Sequence, residues 1–123
     1  ARPLLTESLI SGCLEAVKGH DGVLPVLPMK DTVYLSRGEG RISGLLDRKE
    51  IFAGQAPELF RFGPYLAANL ALLPDRILEI NGSTEPAVMA GLDIVMIPGD
   101  ENNFKITTRA DLERFRGIVC RSV

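Results

Sequence analysis

With 123 residues, 46% hydrophobic and 24% charged, the chain has the length and composition of one globular domain with a modest core. A formal net charge of −2 without any basic run excludes a general nucleic-acid binder. It leaves room for an anionic small substrate, which needs only a few converging cations.

In chain order, Leu5, Leu9, Ile10, Leu14 and Val17 recur with the spacing of an amphipathic helix over 5–17, ended by Gly19–Gly22. The run GVLPVLPMKDTVYLS is apolar and β-branched, but Pro25 and Pro28 predict an edge strand or an arm. Arg37-Gly38-Glu39-Gly40 reads as a turn and RISGLLDR as a returning strand. Residues 29–48 are therefore expected to form a β-hairpin, an arm of about 28–50, with Thr32 and Arg48 meeting at its base. A two-stranded hairpin is marginal alone and needs a surface to lie on. IFAGQAPELF predicts a short strand entering a loop, with Pro57 opening a helix that runs from Glu58 to Leu73 and breaks near Gly63-Pro64. Ser83 or Thr84 should cap a short helix through Ala90, with Pro86 in its first turn. LDIVMIPG predicts a buried strand. The alternation gives an α/β layered domain with a hairpin excursion.

The last element carries the first chemical signal. In NFKITTRADLERF, residues 103–115, Phe104 and Ile106 should face one way and Lys105 and Thr107 the other. Thr108 is placed as the N-cap of a following helix, with Asp111 at the third helical position in a variant capping box. A lysine on a strand end beside a helix N-terminus is either an anion contact or a solvated strand residue. Elsewhere, Cys13 and Cys120 read as reduced thiols of a cytoplasmic protein, and one histidine, His20, with no close cysteine pair argues against zinc. No apolar run approaches the roughly 18 residues of a membrane span, and no signal peptide is read. The start on Ala1-Arg2-Pro3, without methionine, suggests part of a longer polypeptide.

Taken in order, ARP at 1–3, LPMKDT at 27–32, LLDR at 45–48, QAPELF at 55–60 and NFKITTRADL at 103–112 resemble the 2-C-methyl-D-erythritol 4-phosphate cytidylyltransferase family. The ribitol 5-phosphate cytidylyltransferases share most of these landmarks. The resemblance spans Ala1 to about Val119 and implies a partial Rossmann-like nucleotidyltransferase domain with a protruding β-hairpin arm. It also implies transfer of CMP from CTP to a polyol phosphate with release of pyrophosphate, assisted by Mg²⁺. By the same resemblance Lys105 is the catalytic lysine, and Arg2, Thr32, Arg48 and Thr107 are substrate contacts. The arm reaches into a second subunit of a homodimer.

The family's glycine-rich CTP loop has no counterpart. Gly38-Glu39-Gly40 lies between strands and precedes no helix, so it does not qualify as a phosphate cradle. The metal-binding aspartate is expected before Ala1. The 123 residues are therefore expected to be the C-terminal portion of one domain, inactive alone. Ala56 replaces the threonine usual in the Q-x-P motif, and NGSTE at 81–85 replaces an acidic stretch. Read without the resemblance, Arg48 pairs at the surface with Asp47 or Glu50, Thr32 is a strand residue, and the whole is a non-catalytic dimerisation module.

Overall fold

In the computed structural model, which describes residues 1–121, the apolar run Gly22–Pro28 forms strand β1 at the centre of the main sheet. The expectation of an edge strand or arm is corrected here. Strand β6 (Ile94–Pro98) runs parallel to β1, with Val23 opposite Val95 and Val26 opposite Pro98. Strands β4 (Phe52–Gly54) and β5 (Leu59–Phe60) pair antiparallel along its other edge.

The prolines fit because their missing N–H groups point where no partner waits. The Pro25 carbonyl accepts from Gln55 N–H at 2.8 Å. Since the N–H and C=O of one strand residue face the same edge, the Pro25 nitrogen also faces Gln55. There the ladder breaks. Gly54 pairs with Val26 and Leu59 with Val23, so three steps along β1 face five along the opposing segment. The two extra residues push Gln55-Ala56-Pro57-Glu58 out of the sheet as a bulge. Pro28 ends β1 with its nitrogen on the β6 side, past the last parallel pair at Val26 and Pro98.

Helix α1 (Glu7–Ala16) starts at Thr6, whose Oγ1 accepts from Leu9 N–H at 3.2 Å. Its buried residues Leu9 and Cys13 lie one turn apart and cover β1 and β6. Helix α2 (Phe62–Leu70) begins later than expected, and Pro57 opens no helix but sits in the bulge. Leu59 and Phe60 are drawn instead into a ladder with β1, and the Phe60 ring stacks on Tyr65 with centroids 4.4 Å apart. Gly22 leaves room for that ring, because a methyl group there would overlap it. Helix α3 (Glu85–Met89) packs against α2, with Thr84 at its N-cap position and Pro86 buried in its first turn. Val23, Val26, Ala68, Leu72 and Ala87 complete a small core.

The hairpin forms apart from the main sheet. Its strands β2 (Val33–Leu35) and β3 (Gly44–Leu46) are shorter than expected and pair with Val33 opposite Leu46. A wide connection joins them, held by Ser36 Oγ donating to the Arg41 carbonyl at 2.7 Å. Glycine serves its tip directly: Gly38 and Gly40 have φ of 110° and 69°. A single 3-10 turn, Arg48–Glu50, follows with Asp47 as its cap.

Residues 104–107 join no strand, which corrects the expected strand end at Lys105. Ile106 N–H is instead donated to the Ala1 carbonyl at 2.8 Å. The alternation survives: Phe104 and Ile106 are half-buried, Lys105 and Thr107 exposed. Helix α4 (Arg109–Arg121) follows. Both thiols are free, Cys13 buried and Cys120 exposed. Among the described residues no helix is long and apolar enough to cross a membrane.

Candidate active site

The approach to α4 is fixed by its cap. Thr108 Oγ1 accepts from Asp111 N–H at 3.2 Å, and the Asp111 carboxylate accepts from Thr107 N–H at 3.1 Å and Thr108 N–H at 2.9 Å. These donors, Thr107 N–H foremost, hold the Asp111 carboxyl down at about 2. Thr107 Oγ1 also donates to this carboxylate at 3.1 Å, so its hydroxyl proton is engaged in the cap, and Thr107 does not line the concavity that Lys105 lines.

Lys105, two residues upstream, is exposed and makes no hydrogen bond or ion pair among the described residues. It lines a concavity of about 490 Å³ with Ala1, Arg2 and Leu5 on one side and Gly54 to Ala56 and Glu58 of the bulge on the other. Arg2 enters the same space, its Nη1 donating to the Asn103 carbonyl at 2.6 Å. Arg2 and Lys105 thus line one concavity, and residues of the bulge opposite Pro25 line it too. Glu58 is the one carboxylate lining it and accepts from Ser83 Oγ at 2.8 Å. The 81–85 segment therefore touches the rim through Ser83, while Asn81 donates its N–H to Glu85 at 2.6 Å.

Two buried amides missed in the sequence reading brace this wall. Gln55, 6% exposed, donates from Nε2 to the Asp100 carbonyl at 2.9 Å and accepts Asp100 N–H at 3.0 Å. Asn103, 0% exposed, donates from Nδ2 to the Ala56 carbonyl at 2.7 Å, and its Oδ1 has no partner. The available signal was their position, each the first residue of a motif singled out for other residues.

Thr32 and Arg48 meet at the arm base, as expected, in a separate shallow concavity of about 430 Å³ lined also by Leu45, Leu46 and Asp47. Arg48 donates from Nη1 to the Lys30 carbonyl at 2.7 Å. It makes no ion pair with Asp47 or Glu50 among the described residues, and the Asp47 carboxylate instead accepts Lys49 N–H at 3.0 Å. Lys30 is paired with Glu101, whose carboxyl is lowered chiefly by that hydrogen bond. The Glu101 carbonyl takes Arg114 Nη2 at 3.1 Å, and the Arg114 guanidinium lies 4.0 Å over the Phe104 ring. Lys105 and Arg48 line these two different concavities.

The sheet, its covering helices and the detached arm define a mixed α/β fold. It matches the crystal structure of the 2-C-methyl-D-erythritol 4-phosphate cytidylyltransferase of Francisella tularensis with a TM-score of 0.83, at 22% identity, over 95% of this chain and 55% of that one. The chain belongs to the 2-C-methyl-D-erythritol 4-phosphate cytidylyltransferase (IspD) family, whose model matches residues 1–121. It is 38% identical over 117 residues to the bifunctional IspD/IspF enzyme of Paramagnetospirillum magneticum, covering 94% of this chain and 29% of that protein. It is 34% identical over 114 residues to the 2-C-methyl-D-erythritol 4-phosphate cytidylyltransferase of Cereibacter sphaeroides, covering 93% and 48%. The chain thus spans less than half the length of these curated relatives.

Proposed function

We propose that this chain is the C-terminal portion of a cytidylyltransferase domain acting on 2-C-methyl-D-erythritol 4-phosphate. An oxygen of the substrate phosphate attacks the α-phosphorus of CTP, the bond to the β-phosphate breaks, and pyrophosphate leaves. Two polyanions must approach, and like unit charges 4 Å apart repel by about 4 kcal/mol at an effective dielectric of 20. Fixed cations therefore carry the catalysis. The observation that supports this reading is the convergence of Arg2 and Lys105 on one open concavity, with Lys105 free of internal partners among the described residues. Lys105 stabilises charge on the transferring phosphate and Arg2 neutralises a neighbouring oxygen. Thr107, whose hydroxyl proton is given to Asp111, has its hydroxyl oxygen left as a substrate contact.

Thr32 and Arg48 grip the sugar phosphate from the arm, where a planar guanidinium suits bidentate binding. They sit apart from Lys105, which accords with an arm that serves the site of a second subunit in a homodimer. Exposed Ile42 at 68%, Leu45 at 66% and Tyr34 at 56% make the arm apolar enough to need such a surface. Mg²⁺ would assist the departure of pyrophosphate. The residues present do not fit it, because Glu58 alone offers a carboxylate beside Lys105 and no group of three ligating side chains occurs among the described residues. Its ligands belong elsewhere in the polypeptide. A cytoplasmic setting accords with two free thiols.

The test is Lys105→Ala in the natural full-length polypeptide, followed by pyrophosphate release from CTP. Loss of charge stabilisation should lower kcat about 10²–10³-fold. An unchanged kcat refutes the assignment.

A further inference from the structure

We infer that Asn103 and Gln55 are positioning residues that set the Lys105 ammonium against Arg2, an inference that rests on the transferase reading above. The two loops that wall the concavity are tied reciprocally. The buried side chain of Gln55, on the bulge, holds both main-chain groups of Asp100 on the loop after β6. The buried side chain of Asn103, on that loop, holds the main-chain carbonyl of Ala56 on the bulge. None of these three bonds belongs to a strand or helix ladder; they tie the two loops to each other, while main-chain bonds from Gln55 N–H to the Pro25 carbonyl and from Gly99 N–H to the Val26 carbonyl tie them to the sheet.

Asn103 does more than close the clamp. Its own carbonyl receives the Arg2 guanidinium, and Lys105 follows two residues later. One buried residue thereby fixes the bulge, Arg2 and the backbone that presents Lys105. Its Oδ1 stays buried and unpaired, a cost the fold carries rather than a feature of good packing. Turning the amide over would set Oδ1 against the Ala56 carbonyl, so its orientation is fixed. Gly99 completes the arrangement, since a methyl group there would overlap Gln55 Oε1.

Asn103→Leu and Gln55→Met, near-isosteric and apolar, test the clamp in the full-length polypeptide. Each is expected to fold with a midpoint several degrees below that of the parent, since main-chain groups of Asp100 or Ala56 lose their partners, to lower kcat about 10- to 100-fold, and to change KM for CTP and for the polyol phosphate less than about 3-fold, the signature of misplaced rather than missing groups. ¹³C-dimethyl-lysine spectra, with the Lys105 signal assigned by its loss in Lys105→Arg, should show that signal shifted or broadened in both variants while Lys18 and Lys49 stay put. If one variant fails to fold, the other decides. Parental kcat in a folded variant, or an unmoved Lys105 signal, overturns the inference. A parent polypeptide without transferase activity would sink the functional reading, and the Lys105 signal would still decide the clamp.

Discussion

Gly99→Ala is the smallest change that should disturb the candidate site, and its effect follows from the surroundings. The added methyl would overlap Gln55 Oε1 and stand 3.1 Å from the Val26 carbonyl oxygen. The Val26 carbonyl is anchored, because it accepts Gly99 N–H at 2.7 Å. The Gln55 side chain must therefore move, breaking its two bonds to Asp100. Gln55 is 6% exposed, so its freed amide meets little water, while Asp100 is half-buried. Each unpaired buried group costs about 1–3 kcal/mol, and partial relaxation brings the sum to roughly 2–4 kcal/mol. For a polypeptide of the length of the relatives, roughly 2–4 °C is lost per kcal/mol, so the midpoint should fall by about 4–16 °C. Differential scanning calorimetry of the full-length variant measures it. A midpoint within about 2 °C of the parent would refute the reasoning, because it would mean that the loops are not held by this amide.

Further outcomes concern the cap, the thiols and the arm. Asp111 has its carboxyl lowered from 3.8 to about 2 by the N–H groups of Thr107 and Thr108. That stabilisation is present above the unfolded value and is lost as pH falls from about 4 through 2, so Asp111→Asn should flatten this limb of an acid-unfolding curve followed by circular dichroism. Cys120 is exposed, whereas Cys13 is 1% exposed with its thiol pushed up by burial. A maleimide should therefore label Cys120 in minutes and Cys13 only on unfolding, as read by peptide mass mapping; equal rates would contradict the packing of α1. Arg48→Ala should raise KM for the polyol phosphate about tenfold or more and leave KM for CTP nearly unchanged, since one charge-assisted phosphate contact is worth about 1.5–3 kcal/mol. Equal effects on both substrates would remove Arg48 from the sugar-phosphate contact.

The sequence reveals most where one local rule decides. The capping box at Thr108 and Asp111 was legible because its partners lie three residues apart. The meeting of Thr32 and Arg48 followed from hairpin geometry alone. Errors arose where partners distant in the chain decide. Pro25 and Pro28 imply an edge strand only if every N–H of a strand is needed. The bulge at 55–58 frees one of those positions, and it is 30 residues downstream of Pro25. Glu58 to Phe60 fit a helix locally, but pairing of Leu59 with Val23 outweighs that preference. Lys105 was placed on a strand from its alternation, which records burial and not ladder bonds. Gln55 and Asn103 were overlooked because a buried amide has no periodic signature; only the three-dimensional neighbours of Asp100 and Ala56 give them meaning.

The central position of β1 has a consequence for how this chain avoids mispairing. Residues from both of its faces are buried, so sliding the strand by one place would exchange one apolar set for another with little penalty. Side-chain pattern alone leaves its alignment nearly degenerate. Pro25 removes that degeneracy. A shift by one would turn its ring nitrogen toward β6, where a continuous parallel ladder demands a donor at that place, and would offer the bulge an N–H it cannot use. The imino acid thus acts as a register pin, rejecting wrong alignments through a missing hydrogen rather than through any favourable contact.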